Sequence, residues 1–226
     1  MDSNDRSDRI IKLLESKSTL KQAAFSSCSL LFENLKEILH EMSGEINDTL
    51  SNSRLIKVEY RDRGKFEAQL QIATDMLIFS MHTNVFHFDR EHPIYQNDYV
   101  KGSEYNSYCG VINIYDFLAD SFKFNRLGDE GYLIGRIFVN HENCFFVEGK
   151  RQEKYGCSTF GSRQIDESSL QEIVEIAIEY AINFDLLVPP YDAVKIVEVD
   201  QMNTKIENSR IQTGKRLGYK FNSDDI

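Results

Sequence analysis

Residues 129–151, DEGYLIGRIFVNHENCFFVEGKR, decide the fold of this chain. Tyr132 to Val139 and Cys144 to Val147 are runs of β-branched and aromatic residues, separated by the polar Asn140-His141-Glu142-Asn143. Two such runs around a polar break predict a β-hairpin. With a two-residue turn at His141 and Glu142, Val139 is expected opposite Cys144, Ile137 opposite Phe146, Gly135 opposite Glu148 and Leu133 opposite Lys150. Side chains alternate between the faces of a strand, so those eight would share one face, with Ile134, Phe138, Phe145 and Val147 on the other. A hairpin apolar on both faces is expected in the middle of a sheet rather than at its edge.

In that register Glu148 and Lys150 enter an apolar layer, where a carboxylate must be paired, hydrogen-bonded or protonated. The preferred reading is an ion pair at the mouth of the sheet, with Lys150 reaching to water. A second reading follows from Glu148-Gly149-Lys150 coming directly after a hairpin. Locally this stretch resembles the nuclease core of the PD-(D/E)xK families. The resemblance implies carboxylates holding Mg²⁺ or Mn²⁺ and a lysine orienting the attacking water. Asp129 has the parity to share the face of Glu148, although six strand residues at the usual rise leave the two about 20 Å apart. Asp116 and Asp120 are the substitutes.

The chain has 226 residues, 41% hydrophobic and 27% charged, the balance of one ordinary globular core with room for an appendage. No apolar run approaches the ~20 residues of a membrane span, and the polar start MDSNDRSDRIIKLL lacks a signal-peptide core. Cys28, Cys109, Cys144 and Cys157 lack C-x-x-C spacing and read as small buried hydrophobes, so a cytoplasmic location is expected. The net charge of −10 argues against an extended nucleic-acid surface, which needs clustered cations.

Working outward, a stripe at three-four spacing runs through Ile11, Leu14, Ser18, Lys21, Phe25, Cys28, Phe32, Leu35, Leu39, Met42 and Ile46. Thr19-x-x-Gln22 has the form of a capping box, predicting one helix ending near Ser16 and a second from about Leu20 to Met42, stopped by Ser43-Gly44. The stripe either packs on the chain's own sheet or forms a seam between protomers. A meander follows, with strands around 56–60, 66–72, 76–81 and 85–88. Residues 82–92 carry His82, His87 and His92 among acidic residues, a candidate His/carboxylate metal site. Residues 91–108 form a long polar loop with Tyr95, Tyr99, Tyr105 and Tyr108, read either as a pocket or interface lip or as a loop pinned to the sheet by its aromatics. Val111–114 reads as a short strand and 115–122 as a helical turn. A strong helix runs from Asp166 to about Asn183, Pro189-Pro190 halt the chain, and Ala193 to Val199 reads as a last strand.

The expected fold is α+β: a helical arm at 1–50, a core of mostly antiparallel sheet and a covering helix at 51–199, and a polar tail at 200–226. The tail is read as solvated, or as a docking segment anchored by Leu217, Tyr219 and Phe221. There is no internal repeat, P-loop, G-x-G-x-x-G, G-x-S-x-G or H-E-x-x-H, which argues against the common nucleotide-binding and hydrolase classes. The expected function is a non-enzymatic module without a cofactor, which oligomerises through the N-terminal helix and binds a protein through the tyrosine-rich loop or the basic tail. The metal-dependent nuclease is the alternative, and a small-ligand or metal-binding protein the third.

Overall fold

The computed structural model of the chain describes residues 3–50, 56–188, 190–200 and 202–203, with side chains from residue 6 onward. Residues 51–55 and the tail anchors Leu217, Tyr219 and Phe221 lie outside the described residues. Helix α1 (Ser3–Leu13) passes through a π turn (Leu14–Ser18) into α2 (Thr19–Thr49). Six strands follow: β1 (Val58–Asp62), β2 (Glu67–Ile72), β3 (Asp75–Met81), β4 (Cys109–Leu118), β5 (Tyr132–Asn140) and β6 (Phe145–Gly149). Short helices α3 (Asp98–Gly102) and α4 (Ala119–Lys123) flank β4, and α5 (Glu167–Ile182) and α6 (Tyr191–Val194) close the order. The strands form one antiparallel meander in the order β1-β2-β3-β4-β5-β6, so the class is α+β.

Two apolar layers lie on the two faces of this sheet. On one face α2 and α5 cover Ala68, Leu70, Leu77, Phe79, Ile112, Ile114, Ile137 and Val147, using Cys28, Phe32, Leu35, Leu39, Ile173, Val174 and Ala177. The apolar stripe from Cys28 onward is therefore buried on the chain's own sheet. Closest approach falls at Gly110, where an added Cβ would lie 2.4 Å from that of Cys28. The second layer covers only the β4–β6 end of the other face. There Val111, Phe138 and Phe146 pack under Ile94, Val100 and Phe160 from the loops.

The hairpin is present in a register one residue away from the two-residue-turn expectation. Arg136 pairs Glu148, Ile137 pairs Val147, Phe138 pairs Phe146 and Val139 pairs Phe145. The turn has three residues, His141-Glu142-Asn143, with Asn143 at φ 60. The Asn143 amide donates to the Asn140 carbonyl at 3.1 Å, and the Asn140 amide to the Cys144 carbonyl at 3.0 Å. A three-residue loop ending in the left-handed region is a standard hairpin closure, and asparagine tolerates it. One residue of slip exchanges every facing pair. The hairpin also ends the sheet, with β6 as edge strand. Both its faces are apolar because helices cover one and loops the other, which says nothing about strand order.

Other expectations change with their reasons. The capping box is not formed: Ser18 is helical, and the Thr19 hydroxyl donates back to the Leu14 carbonyl at 3.2 Å. Ser43-Gly44 does not stop α2, which continues until the Asn47 side chain fastens it to β1. Residues 115–118 extend β4, paired with β3 throughout and with β5 at Tyr115 and Asp116. Val85 to Phe88 is no strand, and only Phe86 bridges to Cys109. Ala193 to Val199 is no strand either: the end of α6, an exposed irregular run and the start of a further helical turn occupy it.

Candidate functional site

The neighbouring strand β5 and the loop before β4 converge on the edge strand at Glu148. The corrected register places Arg136 directly across from it, and the guanidinium bonds its Oε2. From the loop before β4, His92 brings Nε2 to 2.8 Å from Oε1. The His92 Nδ1 accepts the Ile94 amide at 3.2 Å, which leaves Nε2 carrying the proton and donating to the carboxylate. With both ring nitrogens engaged, His92 offers no lone pair for a metal or a nucleophile. The arrangement is a latch: His92 caps the helical turn Pro93–Gln96, packs on Phe88 with ring centroids 4.6 Å apart, and ties both to β6.

Lys150 is not the partner of Glu148. Past Gly149 the chain turns through Arg151 at φ 58, and the Lys150 amide donates to the Ile134 carbonyl at 2.9 Å. Lys150 lines a small cleft with Asp116, Tyr132, Tyr180 and Phe184, on the side of the sheet that carries α5. Asp116 is buried and pairs with Leu77 and Tyr132 across the helix-covered face. Asp129 accepts from the Ser121 hydroxyl at 2.6 Å and faces Arg126 at 3.8 Å, in the segment before β5. Glu148, Lys150 and Asp129 therefore have three separate sets of neighbours.

The three histidines also disperse. His82 Nδ1 accepts the Asn84 amide at 3.0 Å, and His87 Nδ1 sits 3.3 Å from the Tyr95 hydroxyl. Among the described residues no group of three or more His, Cys, Asp or Glu side chains is placed to hold a metal. Of the tyrosines, Tyr95 donates to the Phe88 carbonyl at 3.0 Å, and Tyr99 is fixed between Asn140 and Glu142 with its ring edge-on to Phe160. Burial, then the Glu142 carboxylate, push the Tyr99 hydroxyl above its ordinary pKa. Both pin the loop to the sheet. Tyr105 is exposed, and Tyr108 lies beneath Lys17 and Lys21, whose ammonium groups stand 5.4 and 5.1 Å from its ring.

Large apolar side chains stand in water at the two ends of the described chain. Residues 6–16 are exposed without exception, although Ile10, Leu13 and Leu14 fall at the i, i+3, i+4 spacing of a helix face and Ile11 adjoins them. Beyond α5, Val188 (90%), Tyr191 (80%), Ile196 (82%) and Val199 (77%) are exposed among further half-covered apolar residues. A groove lined by Lys21, Phe25, Ser26, Asn84 and Val85 lies just past the π turn. Where exposed apolar side chains of this kind form a contiguous patch, they mark an interaction site in a folded protein. Sequence reading pointed to the arm but missed 186–199, because β-branched runs there looked like a strand. It also missed Arg136, which only the corrected turn puts beside Glu148, and His92, which is 56 residues from its partner.

No helix among the described residues is long and apolar enough to cross a membrane. Comparison with protein-family profiles, curated proteins and solved structures finds no match to the chain.

Proposed function

We propose that this chain is a non-enzymatic interaction module that self-associates through its N-terminal arm. The carrying observation is the arm itself: a helix with an amphipathic face over residues 6–16 that covers none of the other described residues. Holding apolar side chains out of the core has no folding benefit, since burial of each contributes about 1.5–3 kcal/mol; a partner that covers them supplies the missing gain. The polar groups in the sheet support the same reading, because Glu148, His92 and Arg136 bond one another and fasten a loop. The test is Ile10→Asp with Leu14→Asp. Both residues are exposed, so at dilutions where parent and variant are both monomeric the thermal midpoint should hold within about 2 °C, while at higher concentration the mass in light scattering falls from an oligomer in the parent to one chain in the variant. An unchanged mass would end the proposal.

A further inference from the structure

Lys17 and Lys21 are four residues apart on one helical run, a spacing that sets two like charges on the same face, where they repel. Both ammonium groups stand over the Tyr108 ring, 5.4 and 5.1 Å from its centroid. A ring face attracts cations but carries no net charge, so the repulsion is left in place. Lys36, Lys57, Lys101, Lys154 and Lys195 have carboxylate partners at 2.6 to 3.8 Å. Among the described residues Lys17 and Lys21 have none at that range. The pKa of Lys17 is raised first by the Tyr108 hydroxyl and only last by the Glu104 carboxylate.

Lys21 is also a wall of the groove past the π turn, whose volume of about 540 Å³ lies in the range of about 300–1,000 Å³ usual for small-molecule sites. Gln22, Ser26, Thr83 and Asn84 add amide and hydroxyl groups to its lining, and Phe25 and Val85 supply the apolar part. Ammonium, amide and hydroxyl donors together are the set that binds phosphate oxygens, and a phosphate monoester brings nearly two negative charges and three acceptors. Placed between the lysines, it replaces a repulsion by two attractions. A nucleic-acid strand is disfavoured, because its binding grows with the number of phosphates neutralised and the chain carries a net charge of −10.

We infer that this groove binds a small organic phosphate, with the phosphate at Lys17 and Lys21 and the uncharged body across Phe25 and Val85. The site is independent of self-association, since it uses none of Ile10, Leu13 and Leu14. Titration calorimetry at low salt tests it with phenyl phosphate, inorganic phosphate and phenol as probes. Phenyl phosphate is expected to bind at least about tenfold more tightly than either of the others, because it alone uses both the cations and the apolar lining. Lys17→Gln with Lys21→Gln should weaken phenyl phosphate binding at least about tenfold, whereas Lys17→Arg with Lys21→Arg, which keeps both charges over the ring, should stay within about threefold of the parent. In the parent chain, phenyl phosphate should shift the amide resonances of Thr83, Asn84 and Val85, a readout that depends on no variant. Absence of binding in the millimolar range, equal affinity for inorganic phosphate, a glutamine variant that binds like the parent, or resonance shifts confined to other residues would each overturn the inference.

Discussion

Asn140 is the residue on which most of the polar order depends. It is fully buried, and its side-chain amide uses both ends: Oδ1 accepts from the Glu142 and Cys144 amides at 3.0 Å each, while Nδ2 donates to the Tyr99 hydroxyl at 2.8 Å and the Asn106 carbonyl at 3.1 Å. One side chain thus shapes the hairpin turn and holds the tyrosine loop over the sheet. Removing it takes a partner from the buried Cys144 amide and from three partly buried groups, so Asn140→Ala should lower the unfolding free energy by at least about 2 kcal/mol in urea titration. A loss below about 0.5 kcal/mol would mean that water replaces those bonds. The turn also shows where sequence reading ends. The strands on either side were legible from β-branched and aromatic runs. The register was not, because a two-residue and a three-residue turn fit the same polar tetrapeptide, and only the left-handed Asn143 decides between them. That single step moved Arg136 opposite Glu148, while the backbone turn at Lys150–Arg151 moved the lysine away.

At the scale of elements, the N-terminal helix has two environments. From Ala24 to Met42 its inner side is buried on the sheet; before Lys17 every described side chain is exposed. The π turn sits between them and shifts the phase of the helix without ending it, a common role for π insertions. The stripe with its polar break at Ser18 and Lys21 was readable in the sequence. The continuous helix was not, since a capping-box pattern is satisfied equally by a helix start and by an interior turn whose threonine bonds backwards. The far end is fixed by Asn47, whose Nδ2 donates to the Val58 carbonyl at 2.7 Å and whose Oδ1 accepts the Val58 amide at 3.0 Å. This side chain pairs β1 much as a neighbouring strand would. Asn47→Ala should cost about 1–3 kcal/mol and accelerate amide exchange at Val58; protection of that amide equal to the parent's would contradict the anchoring role.

For the molecule as a whole, the α+β class and the covering helix α5 followed from hydrophobic periodicity. The covering of the second face did not, because loops rather than a periodic element provide it. Acid stability tests the electrostatic balance. Lys154, then the Tyr155 hydroxyl, hold the Glu172 carboxyl below the ordinary range; Asp62 is lowered first by the Gly64 amide, and Asp166 first by Ser169. In the unfolded chain such groups titrate at about 3.9–4.3, so just below those values the unfolded state binds more protons than the folded one. Their stabilisation is complete above about pH 5 and is lost as pH falls through the lowered folded values. The urea midpoint should therefore drop between about pH 5 and pH 3, and Glu172→Gln should flatten that drop; an equal slope in the variant would remove Glu172 from the account.

The assembly proposal belongs to the same scale. Removing residues 1–50 would not test it, because α2 supplies Phe32, Leu35 and Leu39 to the core. The direct measurement is sedimentation equilibrium on the intact chain and on a chain beginning at Thr19, where α2 starts. The intact chain is predicted at a multiple of its own mass and the trimmed chain at a single mass, with the same thermal midpoint at dilutions where both are monomeric. Equal association states for the two chains would contradict the central claim.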